Sequence, residues 1–401
     1  MPWMEKKTMD LEEEFILRAQ KGQQSFSSLC EEYSISRKTG YKWLDRYTQD
    51  GFEGLTDIPK TPSNSPSKLD EDTVCRIIKL KKDHIKWGPK KIHALYLRHG
   101  NEAVDLSSVK RVLKNSGFVI ERKRRGVFNE YRINNNYEIT GPNDVWTVDF
   151  KGWWYAKDRA RCEPLTIRDE YSCFILEART LPTTRTDDVK EAFTRIFRLY
   201  GLPKIIKSDN GSPFARAKGI RGLTRLSAWW VSLGIQLHRI DPGKPSQNGG
   251  HERMYRDLKA EIQKEIIGTG LDVQKSLDIW RNEFNTISPH EALGMKCPAD
   301  VYQKSSKVFP EEEVDVEYPI YYRTRKVSLH GYIKLDRAEV YISSALVGVT
   351  VGINDLDNLH FSVYFDYIEL GLIDRETYGF KPFFQKEIPL EKVGDDACSD
   401  I

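Results

Sequence analysis

Apolar residues recur at helical spacing up to about residue 118, and from Asp144 onward the spacing alternates between strand and helix periods. In the first stretch, Phe26–Tyr33 predicts one amphipathic helix, Ser34-Ile35 a turn, and Ser36 the N-cap of a second helix from Arg37 to Arg46. In that second helix Trp43, Leu44 and Tyr47 face inward, leaving Arg37, Lys38, Tyr41 and Lys42 outward. Two short helices around a tight turn, the second basic at its start, form the pattern that enters a DNA major groove. A small helical protein-interaction module is the competing reading. Residues 58–67, rich in Pro and Ser, predict a linker. A second helical unit follows, with one helix opening at Trp87-Gly-Pro-Lys-Lys-Ile92 and another over Leu106–Lys114.

After Asp144 the pattern predicts strands at Val145–Trp153, Leu165–Arg168 and Cys173–Arg179 in a hairpin meander. A helix at Val189–Tyr200, a strand at Lys204–Ser208, a helix at Leu226–Leu233 and a strand at Ile235–Arg239 come next. A Gly/Pro loop over 241–250 leads into a helix from His251 to about Ile266. Three strands followed by helix–strand alternation is the order an α/β, RNase H-like fold would show. From Pro319 to about Asp374, short β-branched and aromatic runs between turn signals predict a small β-barrel. The domain plan is therefore 1–57 and 68–125 (helical), 140–302 (α/β) and 318–378 (β).

Charge sharpens this plan. The 401 residues have a formal net charge of only +3, but residues 60–125 carry 17 Lys and Arg against 7 Asp and Glu. Residues 301–401 carry 11 against 18. A basic block of that density is the footprint of a polyanion-binding surface, with a solvated helical face as the alternative. The six cysteines are scattered without a C-x-x-C pair, which argues against a zinc ribbon or a disulfide scaffold and for a reducing compartment. The start of the chain lacks the apolar core of a secretory signal, and the most apolar stretch, near Ala345–Ile353, is too short to span a membrane. The expectation is a cytoplasmic, nucleoid-associated protein with no membrane partner.

Three carboxylates stand where chemistry is expected. Asp149 lies in Val145-Trp-Thr-Val-Asp-Phe-Lys151, on the strand face opposite Trp146, Val148 and Phe150. Asp209 closes a strand before Asn-Gly, and Glu252 opens a helix. Cutting or joining a phosphodiester needs an activated oxygen nucleophile, a stabilised leaving oxygen and charge neutralisation, which two Mg²⁺ supply together. Mg²⁺ takes oxygen ligands and keeps waters, so three carboxylates suffice, and Mn²⁺ is expected to substitute. Each acid also has a bland reading: an exposed strand acid, turn chemistry, or a helix N-terminal acid favoured by the macrodipole. Asp169 is a rival acid, read as structural. In the last helix Met254, Leu258, Ile262 and Ile266 form a buried stripe, with Glu252, Arg256, Lys259 and Gln263 on another face. Lys259 then stands beside the metal site. Between Ser212 and Ile240 the bases Arg216, Lys218, Arg221, Arg225 and Arg239 occur without an acid, which favours a nucleic-acid substrate.

These segments resemble the IS481-type insertion-sequence transposases, relatives of retroviral integrases with a DDE core. The likeness runs through Ile35–Trp43, Trp87–Ile92, Trp146–Gly152, Ser208–Phe214, Gln247–Met254 and Pro289–Gly294. It implies that Asp149, Asp209 and Glu252 are catalytic metal ligands in a Mg²⁺-dependent polynucleotidyl transferase. Water frees a 3′-hydroxyl at the element's inverted repeats, and that hydroxyl attacks target DNA. A homo-oligomer on double-stranded DNA is expected, because two ends must be held together. The expected DNA contacts are Arg37, Lys38, Tyr41 and Lys42 in the first unit. In the second unit they are Lys90, Lys110, Arg111 and Lys114, with the run Arg122, Lys123, Arg124 and Arg125. In the core they are Lys244, Gln247, Asn248, Arg256 and Lys259. Ser288 departs from the relatives, which usually have Arg before Pro-His. The alternative function is a domesticated or inactive copy acting only as a DNA-binding protein.

Overall fold

The computed structural model describes residues 8–56, 69–119, 137–241, 245–262 and 268–384. The linker at 58–67, Arg122–Arg125, Lys244, Gln263 and Ile266 lie outside the described residues. The chain divides into two compact units, Met1–Asp70 and Glu71–Ile401.

The first unit holds α1 (Thr8–Lys21), α2 (Phe26–Glu32) and α3 (Arg37–Asp50). Ser36 caps α3 as expected, its hydroxyl accepting from the Thr39 N–H at 3.1 Å. Phe15, Ile16, Leu29, Cys30 and Leu55 form the core, with Trp43, Leu44 and Tyr47 packed against it. Gly40 is buried in α3 because a Cβ there would meet Cys30 and the rings of Phe15 and Phe26. Arg37, Lys38, Tyr41 and Lys42 are exposed on the outer face, Tyr41 stacking on Phe26.

The second unit begins with α4 (Glu71–Asp83), α5 (Pro89–Arg98) and α6 (Leu106–Asn115). Ile77, Ile92, Leu95, Tyr96, Val109 and Leu113 are buried among them, while Lys110, Arg111 and Lys114 of α6 point to solvent. These helices lie against the α/β region that follows. The Arg98 guanidinium grips Asp300 at 2.7 and 3.0 Å, Lys91 donates to Ser288 at 2.8 Å, and His84 meets Glu283 at 2.8 Å. Lys90 is ion-paired with Glu291. Ser288, the departure from the relatives' arginine, is thus an acceptor for this docking helix.

The α/β region is built on β1 (Val145–Phe150), with a short hairpin of β2 (Trp154–Tyr155) and β3 (Arg161–Cys162) beside it. Its sheet continues with β4 (Pro164–Asp169), β5 (Ile175–Thr180), β6 (Ile205–Ser208) and β7 (Gln236–Arg239), in the order β5-β4-β1-β6-β7. The first three strands pair antiparallel, and β1-β6 and β6-β7 pair parallel. The strands of this sheet begin and end within a residue of the pattern except at two places. The first strand ends at Phe150 rather than Trp153, and the third begins at Ile175 because Cys173 has φ of 62° in the turn.

Helices α7 (Thr186–Tyr200) and α8 (Arg225–Ser232) cover one sheet face, burying Trp146, Val148, Leu165 and Ile167 against Phe193, Phe197 and Trp230. Helices α9 (Gly249–Glu261) and α10 (Gly270–Thr286) cover the other with Met254, Leu258, Ile262, Leu277 and Trp280. The α10 helix was not anticipated, although Thr269 closes a capping box with Asp272 at its start. Buried Glu177 of β5 is ion-paired with Arg195 of α7 and Arg281 of α10, joining the two layers. A short α11 (Pro298–Val301) carries Asp300.

The C-terminal strands are β8 (Arg323–Lys326), β9 (Tyr332–Leu335), β10 (Ala338–Tyr341), β11 (Thr350–Asp355), β12 (His360–Phe365), β13 (Ile368–Asp374) and β14 (Phe380–Pro382). They form an antiparallel sheet ordered β14-β13-β12-β11-β8 and a separate β9-β10 hairpin. Among the described residues the edge strands β8 and β14 do not pair, so closure into the expected barrel is not seen. The apolar cluster of this sheet is continuous with that of the α/β region. Arg221 donates to the Glu369 carbonyl at 2.8 Å, and Arg239 donates to the carbonyls of Arg221 and Gly222. Arg225 also donates to the Ser344 carbonyl at 3.3 Å, so three of the five bases expected to favour nucleic acid serve this internal junction, because backbone carbonyls there need donors.

Candidate active site

Asp149 follows from strand alternation. Trp146 and Val148 point into the α7/α8 layer, so Thr147 and Asp149 face α9. Asp209 lies immediately beyond β6, the parallel neighbour of β1, and accepts from the Gly211 N–H at 3.1 Å. The two carboxylates sit close enough for the Asp209 charge to act on Asp149. Burial first, and the Asp209 charge second, push Asp149 up to about 7.

Helix α9 is pinned across this pair by its own side chains. His251 is fully buried, its Nε2 lying 2.8 Å from the Thr147 hydroxyl and its Nδ1 3.3 Å from that of Thr166. One turn later the Tyr255 hydroxyl lies 2.6 Å from Thr166 and also bonds Asp149. Burial, then the negative charge of Asp149, holds this phenol well above its ordinary pKa, so it remains a donor. Asn248, just before α9, donates to Asp149 Oδ2 at 3.1 Å. Gln247 closes the loop by bonding the Asp241 N–H and carboxylate at 2.7 and 3.0 Å. Both residues, expected to touch DNA, are here engaged within the protein.

Glu252 follows His251 in the first turn of α9, with its side chain exposed. Among the described residues it makes no hydrogen bond or ion pair, and no three His, Cys, Asp or Glu groups gather closely enough to hold a metal ion. The structure brings Asp149 and Asp209 together; it does not bring Glu252 to them. As donors, the two aspartates fit a divalent cation: like-charged oxygens, one of them uncomfortable when ionised alone, are stabilised by a hard cation.

Positive charge borders the pair. Lys151 lies 5.2 Å over the Tyr255 ring, and burial followed by the nearby Lys259 charge lowers its pKa. Lys259 and Arg256 are exposed on α9. Lys151, His251, Tyr255, Thr147 and Thr166 were not singled out from sequence. The i, i+4 spacing of His251 and Tyr255, and the placement of Lys151 two residues beyond Asp149, were the available signals. Asp169, the rival acid, is fully buried and accepts from the N–H groups of Asn143 and Ser172 at 2.7 and 2.8 Å, a turn-fixing role.

Comparison with known proteins gives matches along most of this span. Residues 139–245 and 233–298 match two families described as Integrase core domain. Residues 13–63 match a Helix-turn-helix domain and 39–113 a Homeodomain-like domain. A protein of insertion element IS407 from Burkholderia multivorans is 27% identical over 243 residues, covering 60% of this chain and 83% of that protein. The Gag-Pol polyprotein of baboon endogenous virus is 30% identical over 137 residues, covering 32% of this chain and 7% of that protein. Among solved structures, the HTLV-2 integrase catalytic core in complex with magnesium is similar at 17% identity and a TM-score of 0.33, covering 41% of this chain and 98% of that one. A simian T-cell lymphotropic virus intasome chain is similar at 14% identity and a TM-score of 0.35, covering 77% of this chain and 96% of that one. Residues 139–298 are thus similar to integrase cores, and residues 13–113 to helix-turn-helix and homeodomain-like segments. Among the described residues no helix is long and apolar enough to cross a membrane.

Proposed function

We propose that this protein is a transposase of the IS481-type group: a metal-dependent polynucleotidyl transferase with an RNase H-like core that cleaves and joins DNA at the ends of its element. The observation that carries the reading is the meeting of Asp149 and Asp209 at adjacent strand ends, with Tyr255 and Asn248 bonded to Asp149. Asp149, Asp209 and Glu252 would hold two Mg²⁺, or Mn²⁺ in its place. Bound there, the ions would supply charge neutralisation and a nucleophilic oxygen at neutral pH.

The chain's own residues do the rest. His251 fixes the first turn of α9 against β1 and β4, and the exposed Glu252 side chain that follows it would have to turn toward the aspartates to complete the ligand set. Tyr255 keeps Asp149 in one orientation by donating to it. Lys151 and Lys259 place positive charge where a scissile phosphate would lie. Lys244, Gln247 and Asn248 in the preceding loop would meet the DNA end once the internal bonds of the latter two exchange. Arg37, Lys38, Tyr41 and Lys42 of α3, and Lys110, Arg111 and Lys114 of α6, would grip the inverted repeats, with Arg122–Arg125 following the phosphates. Lys90 would contribute after leaving Glu291. A multimer holding two ends at the nucleoid completes the reading, the C-terminal sheet assisting assembly.

The test is purified protein with Mg²⁺ or Mn²⁺ and labelled duplex carrying the element's end. Strand transfer is the expected result; binding without cleavage would favour a DNA-binding copy that has lost catalysis. Asp149→Asn should abolish joining, a loss of at least roughly a thousandfold, and leave duplex binding intact. Continued joining by this variant would overturn the assignment.

A further inference from the structure

A cleft of about 710 Å³ lies between α5 and α6 on one side and α9, α10 and residues 288–295 on the other. Its lining contains seven Lys or Arg side chains and three acids. Two of the acids are already engaged, Glu291 by Lys90 and Glu283 by His84. Lys110, Arg168, Arg253 and Arg256 make no ion pair among the described residues, so the cleft keeps a surplus of positive charge. Arg168 is 8% exposed, and its Nη2 lies 2.9 Å from the Cys173 sulfur rather than against a carboxylate. Its guanidinium occupies the space over Gly250, where any Cβ would collide with it, and Gly249 leaves the neighbouring floor open.

The wall also contains an unsatisfied group. His290 Nε2 is buried without a hydrogen-bond partner. The charges of Lys91, Arg168 and Arg253 all reach this ring, adding to burial in lowering its pKa. It is therefore a neutral imidazole whose free nitrogen is set among cations. The cations stand on separate elements, Lys110 on α6, Arg168 on β4, and Arg253 and Arg256 on α9. Spread in this way, they match a chain of phosphates rather than one small anion.

We propose that this cleft is a track for the phosphodiester backbone of DNA, leading from the carboxylates over the exposed face of α9 to the basic face of α6. The inference rests on the reading of the chain as a DNA-processing enzyme and adds a path for the DNA away from the reacting bond. Arg256, beside Glu252 on α9, begins the track; Arg253 and Arg168 continue it; Lys110 hands the backbone to α6. Arg253 and Arg168 thereby acquire a DNA role that the motif pattern did not suggest.

The experiment uses the full chain, without metal, and a fluorescein-labelled random-sequence duplex titrated across a salt series by anisotropy. K110E/R253E is compared with K304E/K381E, which changes net charge equally at exposed positions outside the cleft. The cleft pair should weaken binding roughly tenfold or more and lower the salt slope by about two, one per lost phosphate contact, while the control pair changes neither comparably. Equal losses in both variants, or none in either, would overturn the track. If K110E/R253E melts below the wild type, K110Q/R253Q provides the same slope test without charge reversal. Wild-type protein that never cleaves DNA in metal would remove the enzymatic reading, while the metal-free salt slope still judges the cleft.

Discussion

His251 shows how much of this site depends on side chains that do no chemistry. Its ring is fully buried between Thr147 and Thr166, so truncation leaves a cavity and removes one bond from each hydroxyl, Thr147 keeping the Arg168 carbonyl and Thr166 keeping Tyr255 and the Asp149 carbonyl. His251→Ala should destabilise the protein by roughly 2–4 kcal/mol, read from urea unfolding. A midpoint like the wild type's would show that α9 is held by its apolar stripe alone. His290 has a different consequence. Burial and three nearby cations lower it to about 4, against about 6.5 in an unfolded chain. Between those values the unfolded chain binds a proton that the folded ring refuses. Its stability contribution is complete above about pH 6.5 and is lost as pH falls toward 4, by on the order of 2–3 kcal/mol. Unfolding midpoints compared at neutral and mildly acidic pH should fall less for His290→Gln than for wild type; equal falls would refute this.

Helix α9 is the element on which site and cleft meet. Its apolar stripe was legible: Met254, Leu258 and Ile262 are buried, and Glu252, Arg256 and Lys259 are exposed, because side chains one turn apart share a face. Its start was placed at His251 and lies at Gly249, since glycines carry no apolar signal. Gly250 is there for a steric reason that only the tertiary packing reveals, the Arg168 guanidinium lying where a Cβ would go. Gly250→Ala would make the Arg168 guanidinium shift and should cost no more than about 1 kcal/mol of stability, which Arg168→Ala in the same chain should remove. Simple additivity of the two changes, measured in a double-mutant cycle, would separate these residues. The α10 helix escaped notice because its buried positions, Val273, Leu277, Trp280 and Phe284, are interleaved with charged residues and follow a stretch with no strand signal.

At the scale of the molecule, the helices of 71–115 are docked on the α/β region through Arg98–Asp300, Lys91–Ser288 and His84–Glu283. The first unit ends at Asp70. Removing residues 1–125 should lower the calorimetric melting temperature of the remainder by about 4 °C or more relative to removing 1–70, as the docking contacts vanish. Equal melting temperatures would mean that the docking is energetically idle. The C-terminal sheet shares an apolar cluster with the core, so the two unfold together in this picture.

Periodicity and short-range chemistry determined the broad plan by themselves: the capped second helix of the first unit, the succession of strands and helices along the α/β region, the face on which Asp149 stands and the stripe of α9. These are local properties, set by alternation along a strand, spacing around a helix and the polarity of adjacent residues. Tertiary structure alone decided which distant groups meet. It joined Asp149 to Asp209, Tyr255 and Asn248, left Glu252 apart from them, turned Arg221 and Arg239 inward, and gathered Arg168, Arg253 and Lys110 along one cleft. Charge and hydrogen-bonding capacity are written in each residue, but their energies depend on separation and burial, and those are fixed only when remote segments pack.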